Sequence, residues 1–194
     1  MFARTRVATY GGATVAGAAM LVLVVGASGA GKDTLLTAAQ QALAADPRFR
    51  FVRRVITRPA EAGGETHEAA SEAEFAVRDF ALQWRAHGLR YGIPAEAVAV
   101  GVVTVANVSR TVISEATRRF RVRVIEVTAP RDVLAARLAS RGREAADDIG
   151  ARLMRSVAIP EGVPVETVVN DGTVPDGVAR FLAALNRAAS GVDG

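Results

Sequence analysis

Nine residues in the first fifth of the chain, Gly26-Ala27-Ser28-Gly29-Ala30-Gly31-Lys32-Asp33-Thr34, have the types and spacing that hold a polyphosphate. The pattern G-x-x-x-x-G-K is complete. Glycines let the backbone curl so that successive N–H groups converge on phosphate oxygens, and a following helix adds the positive end of its dipole. Lys32 has the reach for β- and γ-phosphates. It is also the only lysine, since 23 of the 24 basic residues are arginine. Either residue serves a solvated surface, so the exception falls where a compact, flexible ammonium is needed and a planar fork would not substitute. The expected ligand is ATP. Asp33 stands where a hydroxyl usually serves Mg²⁺; a carboxylate is a good ligand for a hard cation but adds negative charge beside the phosphates. Asp33, directly or through water, or Thr34 can take the ion, and the sequence leaves both open.

A second group of polar residues follows: Val55-Ile56-Thr57-Arg58-Pro59, then Gly63-Gly64-Glu65-Thr66-His67-Glu68, then the stretch from Phe80 to Pro94, which contains Gln83, Trp84, His87 and Tyr91. With the Ser71-Glu72-Ala73-Glu74-Phe75 segment, these resemble the guanylate kinase group. Its members have a Thr-Arg pair after the second strand, a Gly-Glu segment, an S-x-x-E-F helix start and a stretch ending in Tyr-Gly, and they phosphorylate the phosphate of a bound nucleoside monophosphate. The chain is more specifically similar to the ribose 1,5-bisphosphate phosphokinases, relatives that act in phosphonate breakdown. The similarity lies in GASGAGKDTLL, VITRPAEAGGETHEA, SEAEF, FALQWRAHGLRYGIPAE and VVNDG, and runs from Met20 to the end. Guanylate kinases carry a second arginine three positions after the Thr-Arg arginine; here that position is Glu61, and His67-Glu68 stand where they have a tyrosine. The connection between Glu74-Phe75 and Phe80 is short relative to the family.

The resemblance implies a three-layer α/β P-loop kinase fold with a mostly parallel five-stranded sheet, a small acceptor-binding insertion at about 57–97 and an arginine lid at about 140–150. It implies that Arg58 and Tyr91 hold an acceptor phosphate, with Glu65, His67, Gln83, His87 and Asn107 as further acceptor contacts. Phe80 and Trp84 also suit a core, His87 a turn, and Asn107 a strand end. Arg137 and Arg141 are expected to neutralise the transferring phosphoryl group, with Arg143, Arg152 and Arg155 as further lid candidates. Asn170, in Val169-Asn170-Asp171-Gly172, falls where the family places adenine; a plain strand-to-helix turn is the alternative.

Elements must position these groups. Met20–Gly26 is a continuous apolar run, as in a parallel strand covered on both faces. Further strands are expected at Phe49–Ile56, Val98–Ala106, Arg121–Val127 and Val165–Val169. Helices are expected at Lys32–Ala45, Ser71–Phe80 (opened by a Ser71/Glu74 capping box), Ser109–Arg119, Pro130–Ser140, Asp147–Ala158 and Val174–Ala189. Strands alternating with helices argue for a parallel sheet with ligands beyond its carboxyl ends, where the glycine loop falls.

The 194 residues suit one domain, at 19–194, after a loose Gly/Ala-rich tail at 1–18. Reading Arg4, Arg6 and the apolar run from Ala13 as a signal peptide would place the cut in the glycine loop, which argues against it. No uninterrupted run is long enough for a membrane span. The absence of cysteine excludes a disulfide scaffold and fits a cytoplasmic protein. The net charge of +4 suits phosphorylated small molecules better than nucleic acid, because no array of stacking aromatics accompanies the arginines. A homodimer is compatible with the sequence. The expected reaction is phosphorylation of ribose 1,5-bisphosphate by ATP; the competing readings are a nucleoside monophosphate kinase and a non-catalytic guanylate-kinase-like binding module.

Overall fold

The computed structural model describes residues 9–10, 13–14, 19–59, 66–139 and 157–190. Two short strands, β1 (Thr9–Tyr10) and β2 (Ala13–Thr14), pair antiparallel within the segment expected to be a loose tail.

β3 (Met20–Val25) is buried along its whole length. A strand exposes alternate side chains to opposite faces, so an unbroken apolar run demands cover on both. Met20, Val22 and Val24 enter one core cluster, and Leu21, Leu23 and Val25 enter the other. Each fully buried Val or Leu contributes roughly 1.5–3 kcal/mol relative to exposure. The first cluster is closed by α1 (Lys32–Ala42), through Leu35 and Ala39, and by a long C-terminal helix, through Phe181, Ala184, Leu185 and Ala188.

After α1 come β4 (Phe49–Phe51), β5 (Val55–Ile56), β6 (Glu68–Ala69) and α2 (Glu72–Val77). Then follow β7 (Phe80–Ala86), β8 (Leu89–Pro94), β9 (Val103–Asn107), α3 (Ile113–Arg119), β10 (Arg121–Thr128), α4 (Arg131–Ala139), β11 (Val165–Val169) and α5 (Val174–Ser190). The main sheet has the order β11-β10-β3-β9-β4, and every pair is parallel. All its carboxyl ends therefore lie along one edge. The five-stranded α/β sheet expected from the sequence is present, with α1 and α5 on one face and α3 on the other.

Several details depart from the sequence reading. The strand expected at 49–56 is two strands in two sheets: β4 pairs with β9, whereas β5 pairs with β8 and β6. The switch falls at Val52-Arg53-Arg54, where two consecutive arginines interrupt the apolar run. The strand expected from Val98 begins at Val103, because Ala95–Ala97 forms a 3-10 turn and Gly101 takes a φ of 83°. The stretch from Phe80 to Pro94, given no elements from sequence beyond Phe80 as a helix end, is a hairpin, β7–β8, within a second four-stranded sheet, β6-β5-β8-β7. His87 and Gly88 form its turn with φ of 52° and 74°, the left-handed pair that suits a two-residue connection between twisted strands. Trp84, Tyr91, Leu82 and Ile93 from this hairpin enter the second core cluster beside α3. The helix expected at Ser71–Phe80 is shorter, but its capping box is formed: Ser71 Oγ accepts from Glu74 N at 3.2 Å, and Ser71 N donates to Glu74 Oε2 at 2.8 Å. Residues 147–156 of the helix expected at Asp147–Ala158 lie outside the described residues.

Candidate active site

The glycine loop joins β3 to α1 at the carboxyl edge of the main sheet. Gly31 is the N-cap of α1 and offers no side-chain acceptor, so the first-turn N–H groups remain directed at the loop. That is the arrangement a helix uses to bind an anion. Lys32 Nζ donates to the carbonyls of Gly26 at 2.8 Å and Ala27 at 3.0 Å, which curls its ammonium over the loop. Ala27 is half-buried, Gly29 and Ala30 are buried, and Ser28 and Thr34 are exposed.

Asp33 is exposed and accepts from Asn107 Nδ2 at 3.1 Å, which ties the loop to the carboxyl end of β9. Among the described residues no three His, Cys, Asp or Glu side chains gather into a metal cluster. Mg²⁺ needs no such cage in a phosphoryl-transfer site, where one or two carboxylates, phosphate oxygens and water suffice. The Asp33 carboxylate, oriented by Asn107, fits that demand.

Asn170, for which the sequence left a base contact and a strand-to-helix turn open, is turned into the protein. It is 6% exposed, and its Nδ2 donates to Ala30 O at 2.8 Å. Arg137 Nη1 donates to the Asn170 carbonyl at 3.0 Å, so this arginine stands at the loop's flank. Arg141, like Arg143, Arg152 and Arg155, lies outside the described residues, as does Glu65.

On the acceptor side, Arg58 and His67 hold each other. Arg58 Nη2 lies 3.2 Å from His67 Nδ1, and His67 Nε2 lies 3.3 Å from the Arg58 carbonyl. The Arg58 Nε is buried with no hydrogen-bond partner among the described residues. Tyr91 is buried and stacks on Trp84, ring centroids 5.4 Å apart, directly across the hairpin. Gln83 is exposed and meets Arg90 at 3.5 Å. His87 occupies the exposed hairpin turn.

Arg54 was not among the residues expected from sequence, although the Arg53-Arg54 pair at the sheet switch was a signal. Its guanidinium lies 5.4 Å from the Tyr91 ring centroid and 6.0 Å from that of Trp84. Burial pulls its pKa down to about 10, with the Asp33 carboxylate and Tyr91 opposing the fall and Arg58 adding to it. It remains charged at neutral pH. Arg54, Asp33 and Asn107 line one cavity of about 340 Å³.

A phosphate-cradling loop at the edge of a parallel sheet, faced by a small second sheet that carries arginines, defines a kinase of the P-loop fold. Solved structures agree on the fold: a guanylate kinase from Anaplasma phagocytophilum (TM-score 0.57, 16% identity, 88% of this chain and 86% of that one) and a gluconokinase from Sinorhizobium meliloti 1021 (TM-score 0.52, 16% identity, 91% and 96%). No protein-family model matches the chain. Among curated relatives, the ribose 1,5-bisphosphate phosphokinase PhnN of Acidiphilium cryptum (strain JF-5) is 51% identical over 171 residues, covering 86% of this chain and 92% of the relative. That of Brucella melitensis biotype 2 is 48% identical over 177 residues, covering 87% and 92%. The bifunctional ribose 1,5-bisphosphokinase-thymidine phosphorylase of Cupriavidus pinatubonensis is 49% identical over 177 residues, but the chain spans only 29% of its length. The chain belongs to the ribose 1,5-bisphosphate phosphokinase family.

Proposed function

We propose that this chain transfers the γ-phosphoryl group of ATP to the 1-phosphate of ribose 1,5-bisphosphate, giving 5-phospho-α-D-ribose 1-diphosphate and ADP, in phosphonate catabolism in the cytoplasm. The observation that carries the proposal is the intact glycine loop with Lys32, facing an arginine-bearing acceptor sheet, in a chain of this family. One bond forms, between the γ-phosphorus and a 1-phosphate oxygen. One breaks, between that phosphorus and the β–γ bridging oxygen, and ADP leaves with the electron pair. The attacking oxygen is already anionic at neutral pH, so no general base is required.

The chain's own work is alignment and charge neutralisation. Loop N–H groups and the start of α1 hold the donor phosphates. Lys32 exchanges its carbonyl partners for phosphate oxygens, and Arg137 adds positive charge at the loop's flank. Arg141 would add further positive charge to the transferring phosphoryl group. Arg58, fixed by His67, takes an acceptor phosphate. Asp33 with Asn107 would hold Mg²⁺, which supplies further neutralisation of the phosphates when bound.

The test is a coupled assay of ADP release with ribose 1,5-bisphosphate and, separately, with GMP. Faster turnover of GMP would overturn the reading. Lys32→Ala should lower kcat by at least ~10²–10³-fold while the protein stays folded.

A further inference from the structure

An ion pair spans the carboxyl edge of the main sheet beside the glycine loop. Arg110 Nη2 donates to Glu126 Oε1 at 2.5 Å. Arg110 opens a 3-10 turn just after β9, and Glu126 belongs to β10. β3 lies between those two strands, so the pair reaches across the end of β3. The register fixes its level. Val24 of β3 pairs with Asn107 and Val25 with Glu126, and Gly26, the first residue of the glycine loop, comes next.

The face is fixed by alternation along β10. Ile125 and Val127 enter the cluster closed by α1, whereas Val122 and Val124 enter the cluster shared with the β7–β8 hairpin. Glu126 continues the second set. The pair therefore stands on the face that carries the second sheet, at the end where the donor phosphates belong. Its two side chains are 19% and 29% exposed, sheltered yet within reach of a ligand. The bond to Glu126 uses one N–H of the guanidinium, and Arg110 has no other partner among the described residues.

A sheltered ion pair is weak as a stabilising device, because desolvation offsets the attraction. Transfer between two phosphates makes a stronger demand at this place. Two anions must approach to bonding distance, and they repel unless cations stand beside both. Lys32, Arg137 and the start of α1 stand at the donor, and Arg58 stands on the second sheet.

We propose that Arg110 binds the phosphate of the acceptor that is attacked, and that Glu126 is the positioning residue that aims its fork. This rests on the sugar-bisphosphate reading above. Glu126 restrains one side of the planar guanidinium and leaves N–H groups for phosphate oxygens. The carboxylate offsets part of the positive charge, so the contribution is that of one directed, charge-assisted hydrogen bond.

The experiment measures kcat/KM for ribose 1,5-bisphosphate at saturating ATP, KM for ATP at saturating acceptor, and the melting temperature. It uses the full chain, Arg110→Met, Arg110→Lys and Glu126→Gln. Arg110→Met should lower kcat/KM for the acceptor by about 10- to 100-fold and leave KM for ATP unchanged. Arg110→Lys, which keeps the charge but loses the fork, should lose about 10-fold at most but remain below the parent. Glu126→Gln keeps an acceptor for the fork and should lose less than Arg110→Met. A lower melting temperature in Arg110→Met with parental kcat/KM would reduce the pair to a brace and overturn the assignment. A matching rise in KM for ATP would overturn it too, as would a larger loss in Glu126→Gln than in Arg110→Met. Should Arg110→Met fail to fold, Arg110→Lys decides, and parental kcat/KM in that variant would sink the proposal. Failure of the unsubstituted protein to phosphorylate ribose 1,5-bisphosphate would instead overturn the functional reading, and this inference with it.

Discussion

The side-chain amide of Asn170 fills the space that a β-carbon on Gly31 would occupy. A Cβ built at Gly31 would lie 2.4 Å from Asn170 Nδ2, and Gly31 itself has a φ of 88°. The same amide donates to Ala30 O at 2.8 Å, and a Cβ at Gly177 would meet its Oδ1 at 2.4 Å. The loop, the end of β11 and the start of α5 thus share one buried carboxamide. Removing it leaves the Ala30 carbonyl without this donor and loosens the loop. Asn170→Ala should raise KM for ATP by about 10-fold, the equivalent of one net hydrogen bond, while KM for the acceptor holds. Steady-state kinetics with each substrate varied in turn check this; an unchanged KM for ATP would remove the brace from the account.

Gly92 plays a comparable steric part on the acceptor side. A Cβ there would lie 2.4 Å from the Phe80 ring, which stacks on Phe75 at 4.3 Å. Arg90 in turn lies over Phe75, 4.3 Å from its centroid. Gly92→Ala should therefore cost about 1–3 kcal/mol by overpacking and lower the melting temperature by several degrees. It should raise KM for the acceptor more than KM for ATP, since the displaced rings belong to the second sheet. A melting curve superimposable on that of the parent would contradict the packing argument.

Acid should loosen the helix starts. The backbone N–H and hydroxyl of Ser71 hold the Glu74 carboxyl below its ordinary range, and the hydroxyl and backbone N–H of Thr173 do the same for Asp176. Both groups have a lower pKa folded than unfolded, so their charged forms favour the fold. That contribution is present above the unfolded carboxylate values near 4 and is lost as pH falls through the folded ones. The melting temperature should be flat with respect to these groups from pH 8 to 5 and decline below about 4. The double variant Glu74→Gln with Asp176→Asn should decline less steeply over the acid range. Identical acid profiles for variant and parent would rule out this origin.

The parts of the molecule that were legible in sequence are those with one dominant local cause. Met20–Val25 announces a doubly covered strand because six consecutive apolar residues admit little else, and the glycine loop announces itself by types that must cradle an anion. Ser71 and Glu74 mark a helix start because their capping bonds are local. The second sheet was not legible from periodicity, because Val52-Arg53-Arg54 looks like the interior of one strand until the pairing of β5 with β8, thirty-five residues on, moves it to another sheet. Asn170 stayed open between a base contact and a strand-to-helix turn for the same kind of reason: its neighbours, Ala30, Gly31 and Gly177, come from distant parts of the chain. Arg54 escaped notice as one arginine among 23, because its place over the rings of Trp84 and Tyr91 depends on the hairpin that brings them there.

Lys32 carries the chain's single ε-amine, and its nitrogen is held by two loop carbonyls at 2.8 and 3.0 Å. Acylating reagents that attack primary amines therefore have one side-chain target, which is also the centre of the donor site. The mass of the peptide containing residue 32, after a brief pulse of such a reagent, becomes a direct readout of loop occupancy. One added acyl group on a peptide containing residue 32 reports an open loop, and protection of that peptide in the presence of nucleotide reports a filled one.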